Sequence, residues 1–123
     1  MTIRGIKKDV LTLLLTMGCE NHPNEFAALL REKDNVIDEA VLLPGTIGGS
    51  SSAMVLFDMM PLDTHKAGSA HSHPNGVIRP SDADLNFFPR AGRYHIIVGA
   101  PYQENDWLCF TADGDRFDLE VVP

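Results

Sequence analysis

A single α+β domain is the fold class this sequence predicts, and three observations predict it. Apolar residues first recur at helical spacing and then give way to short runs rich in β-branched and aromatic residues. One capped helix start, "SDADLNFFPR", interrupts those runs, so the order is helix, strands, helix, strands. No repeat, low-complexity tract or linker divides the 123 residues, and a chain of that size buries roughly two-thirds of the surface its unfolded form exposes. Residues 1–123 are therefore expected to form one domain.

The elements follow in order. Ile6, Val10, Leu13, Leu14 and Met17 share a helical period that stops before "ENHPNE", where Pro23 disfavours continuation, so a first helix is expected over about 6–20. "EFAALLR" is a short continuous apolar run and reads as a buried strand, ended by the turn-rich "EKDN". Strands are expected at about 35–43 and 52–60. Between them "PGTIGGSSS" supplies a connection rich in glycine and serine, either a loop tip or a mobile binding edge. "HKAGSAHSH" is small and extended, and "RYHIIVGA" has the composition of a central strand. "DWLCFTA" and "DRFDLEVV" are joined by "DGD", whose Asp-Gly step signals a hairpin.

Composition narrows the functional classes. Seventeen acidic against ten basic residues give a formal charge of −7, which repels a phosphate backbone, and no basic cluster offsets it, so nucleic acid is not an expected partner. The longest apolar stretches fall far short of the roughly 20 residues that span a bilayer, and no signal peptide opens the sequence. A soluble, cytoplasmic protein is expected. Only Cys19 and Cys109 are present, too few for a disulfide framework or a thiolate zinc knuckle, and both are expected to be buried and inert.

The chemistry concentrates in "SAHSHPNGVIRPSDADL", residues 69–85. Strand side chains alternate between faces, so His71 and His73 project from one side while Ser72 points away. Catalytic zinc takes three protein ligands and leaves a position for water, so a third donor must come from nearby. Asp84 is the candidate, in the first helical turn, where the helix dipole favours its charge. Taken alone, Ser81 and Asp84 would be read as a capping box, and two histidines as a polar strand edge. Their conjunction favours a metal site. The zinc deaminase pattern does not fit, because His73 stands where that pattern has glutamate and the two cysteines are far apart in sequence. The same two-histidine, one-carboxylate donor set also suits Fe(II), so an iron enzyme remains an alternative.

His71, Ser72, His73 and Pro74, followed by Ser81 and Asp84, resemble the signature of the JAMM metalloproteases, the catalytically competent MPN domains. The family's remaining glutamate, at the start of the first strand, is matched by Glu25 in "HPNEFAALL". The resemblance extends over nearly the whole chain, with little room for the long insertions of eukaryotic members. It implies an MPN domain resembling the cytidine deaminase fold, with a central mixed sheet flanked by helices. It also implies one zinc ion on His71, His73 and Asp84, with Glu25 as proton shuttle and Ser81 as oxyanion donor. A metal so held keeps a positive charge and lowers the pKa of a bound water from 15.7 towards about 7. The implied activity is that of a deubiquitinase-like isopeptidase or peptidase, acting at the C-terminal glycine of ubiquitin-like or sulfur-carrier proteins. Some MPN domains are non-catalytic scaffolds, but those characteristically lack a motif residue, and none is missing here. For the substrate tail, the expected edge for strand addition is the segment containing Gly48, Gly49, Ser50 and Ser51.

Overall fold

The computed structural model describes residues 2–43 and 65–123. The strand expected over 52–60 and the candidate binding segment at Gly48, Gly49, Ser50 and Ser51 lie outside the described residues. The elements, in order, are β1 (Gly5–Lys7), α1 (Lys8–Asn21), β2 (Ala27–Lys33), β3 (Val36–Leu42), β4 (Lys66–His73), α2 (Asp82–Ala91), β5 (Tyr94–Gly99), β6 (Trp107–Thr111), β7 (Arg116–Phe117) and β8 (Glu120–Val122). The strands form one sheet in the order β7-β6-β5-β4-β2-β3-β1-β8. The sheet is mixed, as expected: β4–β5, β1–β3 and β1–β8 run parallel and the other pairs antiparallel.

The β2–β3 hairpin closes through Asp34 and Asn35, both with positive φ, which is the backbone a two-residue turn between twisted strands requires. Strand β2 is buried on both faces because a helix covers each. Ala28, Leu30, Ala70, Ile96 and Val98 pack with Val10, Leu11 and Leu14 of α1. The alternate residues Ala27, Leu29 and Ile97 pack with Phe87, Phe88 and Ala91 of α2. Close backbone approach seats the end of α2: a Cβ at Gly92, where φ is +142°, would lie 2.7 Å from the Gly68 Cα of β4.

Three expectations need correction. Ile6 belongs to β1 and the helix starts at Lys8. β1 is only three residues long and is held by distant strands β3 and β8, so no local period announces it. "DRFDLEVV" is not one hairpin strand. Arg116–Phe117 pairs with β6, whereas Glu120–Val122 crosses to the far edge of the sheet beside β1, drawn by Leu119 packing against the α1-side core. Cys19 is exposed; only Cys109 is buried, and burial pushes its thiol up to about 12. The phase of α1 explains the cysteine: its buried residues are Val10, Leu11, Leu14 and Gly18, and Leu13 faces outward.

Buried His95 is a structural histidine of the α2 side. Its ring stacks on Phe88, with centroids 4.1 Å apart and planes 3° apart. Nε2–H donates to the Gly92 carbonyl at 2.9 Å, and Nδ1 lies 2.6 Å from the Ser69 hydroxyl. A carbonyl only accepts, so Nε2 holds the proton and Nδ1 takes the Ser69 O–H, an arrangement complete in the neutral ring. Burial, with the charge of His71 adding to it, lowers the pKa to about 4. In the unfolded chain His95 binds a proton below about pH 6.5 that the folded form refuses until about pH 4. Stability is therefore expected to fall as pH drops through that window, by at most about 3 kcal/mol from this residue. Denaturant titration of the metal-free protein between pH 7 and 4 checks this. A His95→Gln variant should show a shallower pH slope, and an unchanged slope would assign the effect to other groups.

Candidate metal centre

Strand alternation places the two histidines. In the β2–β4 register Ala27 faces His71, and Ala27 belongs to the α2-side core, so His71 and His73 both look towards α2. Pro74 ends the strand, and a turn carries the chain to Ser81, the N-cap of α2. Within that turn Gly76 N–H donates to the His73 carbonyl and Val77 N–H to Asn75 Oδ1, each at 3.0 Å.

Asp84 arrives by way of the cap. Ser81 Oγ accepts the Asp84 N–H at 3.1 Å, and Asp84 Oδ2 accepts the Ser81 N–H at 2.9 Å. The capping box and the site are therefore one construction. The same carboxylate sets Oδ1 3.1 Å from His71 Nε2 and Oδ2 3.1 Å from His73 Nε2, while the two Nε2 atoms are 3.0 Å apart. His71, His73 and Asp84 thus offer one donor atom each within 4.8 Å of one another. The three side chains are only 12%, 13% and 5% exposed.

These donors fit a metal ion. The two imidazole Nε2 atoms, 3.0 Å apart and each 3.1 Å from an Asp84 oxygen, converge on one point, where a single cation would satisfy all three groups. Tetrahedral zinc with bonds of about 2.0 Å sets its ligands roughly 3.3 Å apart, close to the observed separations. His73 is also prepared from behind. Its Nδ1–H donates to the Val77 carbonyl at 2.8 Å, which assigns the proton to Nδ1 and leaves the Nε2 lone pair for coordination, the usual support for a ligating histidine.

Where no metal is bound, protons on the imidazole Nε2 atoms face the Asp84 carboxylate in its place. Burial alone would raise the Asp84 pKa, but hydrogen bonds from His71 and His73 outweigh it and hold the carboxyl well below the ordinary carboxylate range. Burial would likewise lower His73, yet the bond to Asp84, the Val77 carbonyl and the charges of Asp84 and Glu25 leave its pKa raised.

Glu25 stands outside the three-donor cluster, half-buried just before β2. Continuing the β2–β4 register past Ala27–His71 puts it across from His73, and its charge is felt at that ring. Ser81 is exposed at the helix start. The sequence reading missed two contributors. Val77 acts through its carbonyl, which no side-chain pattern can reveal. Ser72, pointing away from the histidines as expected, is fully buried and hydrogen-bonded to Phe26.

Fold and site together define a metal-binding domain of the JAB1/MPN kind. Residues 7–112 match the Prok-JAB family, described as prokaryotic homologs of the JAB domain, and the chain belongs to that family. A probable metalloprotease of Haloferax volcanii is 44% identical over 96% of this chain and 79% of its own length. Among solved structures, a JAB1/MPN domain protein from Archaeoglobus fulgidus superposes with a TM-score of 0.79 at 36% identity, covering 97% of this chain and 99% of the other. A second, described as "JAMM: A Metalloprotease-like Zinc Site in the Proteasome and Signalosome", gives 0.76 at 37% identity and covers 99% and 100%. The MPN fold expected from the sequence is thus the fold observed, and the chain is of the metalloprotease class.

Proposed function

We propose that this protein is a zinc-dependent isopeptidase or peptidase that hydrolyses the acyl bond at the C-terminal glycine of a ubiquitin-like or sulfur-carrier protein. The observation that carries the reading is the convergence of His71, His73 and Asp84 beside Glu25. Zinc bound there would acidify a water towards a pKa of about 7 and polarise the scissile carbonyl. The Glu25 carboxylate takes the proton of the attacking water and hands it to the leaving amine nitrogen, so one group serves as base and then acid. Asp84 and the two imidazoles keep the donor set in place. Because Ser81 Oγ accepts the Asp84 N–H, its own O–H proton is free to be donated to the carbonyl oxygen as negative charge develops there.

The relatives support a protein substrate, since the Haloferax volcanii protein is a probable metalloprotease. The choice of a glycine-terminated tail rests on the resemblance to stand-alone JAMM enzymes. Elemental analysis of the purified protein separates zinc from the iron alternative. Zinc near one per chain, lost from His71→Ala, is expected; native iron would overturn the assignment.

Ser81→Ala separates catalysis from capping. Removal of one oxyanion donor lowers turnover by about 10²- to 10³-fold, whereas loss of a cap alone costs roughly 1 kcal/mol and leaves chemistry intact. A large fall in kcat is expected alongside a modest drop in Tm. A drop in Tm with unchanged kcat would leave Ser81 with only its cap.

A further inference from the structure

The structure assigns a task to Ser72, the residue between the two histidines: it positions Glu25. The inference rests on the reading of Glu25 as proton shuttle, and it starts from an irregularity in the β2–β4 ladder. The register pairs Ala27 with His71, so Phe26 falls opposite Ser72. The Ser72 N–H donates to the Phe26 carbonyl at 3.2 Å, as in a regular narrow antiparallel pair. In such a pair the Phe26 N–H would donate back to the Ser72 carbonyl. It donates instead to the Ser72 hydroxyl, at 3.0 Å.

That exchange has a geometric result. The amide of the last residue before β2 is fastened to a side chain rather than to a backbone carbonyl, and the regular strand begins only at Ala27. Glu25 is the next residue outward. Ser72 is fully buried and Phe26 is 5% exposed, so water has little access to replace the bond. The other end of the segment has its own tether, His22 Nδ1 to the Tyr102 hydroxyl at 3.2 Å, and Asn24 N–H donates to the Asn21 carbonyl at 2.7 Å. Three consecutive residues of β4 therefore set both parts of the reaction centre. His71 and His73 offer donors on the α2 face, and Ser72 fixes from the opposite face the backbone that carries the carboxylate.

Ser72→Ala removes the acceptor and touches neither the metal ligands nor Glu25. The test uses the zinc-loaded protein for kinetics and the cobalt(II)-loaded protein for pseudocontact shifts at the Glu25 side chain. The alanine variant should keep its metal and show KM within about two-fold of the parent. Its kcat should fall by about 10- to 100-fold, the scale on which small misplacements act. The Glu25 shifts should change, and the Phe26 amide should exchange faster with solvent. Ser72→Thr, which keeps the hydroxyl, should restore both. If the alanine variant fails to fold, Ser72→Cys, of similar volume and a weaker acceptor, gives the same comparison.

Unchanged Glu25 shifts in a folded variant overturn the inference, whatever happens to kcat. Shifts that move while kcat does not would leave Ser72 as the fastening of Glu25 and remove Glu25 from the reaction. A parent protein with no hydrolase activity would defeat the proposed function and leave the shift measurement to decide the role of Ser72.

Discussion

A Glu25→Gln protein is expected to bind metal normally and to turn over about 10²- to 10⁴-fold more slowly, the range assigned to general acid–base catalysis. Glutamine keeps the size and polarity of the side chain but cannot accept the proton of water. The residue lies outside the three-donor cluster, so its neutralisation should not release the ion. Metal content and kcat measured on one preparation check both halves. Loss of metal from the variant would make Glu25 a ligand, and full activity would exclude it as the base.

The second large effect is expected from the ligands. His71→Ala removes one of three donors without touching the cap of α2, and Asp84→Ala removes a donor together with the acceptor of the Ser81 N–H. Both should lose metal and fall to the uncatalysed rate, because the two remaining groups cannot hold the ion against solvent. Only the aspartate variant should also lose roughly 0.5–2 kcal/mol of stability from the helix start. Metal stoichiometry and denaturation of the metal-free forms separate the two roles. A metal-retaining His71→Ala protein would contradict the site.

The two roles of Asp84 show what was legible in the sequence. In the sequence a capping box and a donor set compete as explanations of Ser81 and Asp84; in the structure one carboxylate takes part in both the cap and the His71–His73 cluster. Local rules sufficed for this part of the site. Alternation put His71 and His73 on one face, and the S-x-x-D signature marked where the next helix starts. Neither rule placed Glu25, because its approach to His73 depends on the pairing of β2 with β4, and register between distant strands leaves no local trace. Only the family resemblance points to that residue.

The same division runs through the fold. β3, β4, α2, β5 and β6 carry their own periods or turn signals, and these place them close to their observed ends. β1 and β8 carry none, since three-residue strands are stabilised by the partners they meet, not by their own pattern. In α1 Val10, Leu14 and Met17 face the core as their period predicts, and Leu13 does not. Leu11 and Leu13 are equally apolar, and only the position of the sheet turns Leu11 inward and leaves Leu13 and Cys19 outside. Ser72 escaped for a related reason: its hydroxyl matters through a backbone amide on another strand.

Metal-dependent hydrolysis at a C-terminal glycine can be read from the reaction products themselves. The direct measurement is intact-mass analysis of a ubiquitin-like protein joined through its terminal glycine to a lysine-containing partner, incubated with the zinc-loaded protein. Two products are expected: the ubiquitin-like protein ending in a free glycine carboxylate and the partner with its amine restored. Cleavage should stop on chelation and resume when zinc is returned. Cleavage that persists in the metal-free protein, or no cleavage of any such conjugate by fully zinc-loaded protein, would contradict it.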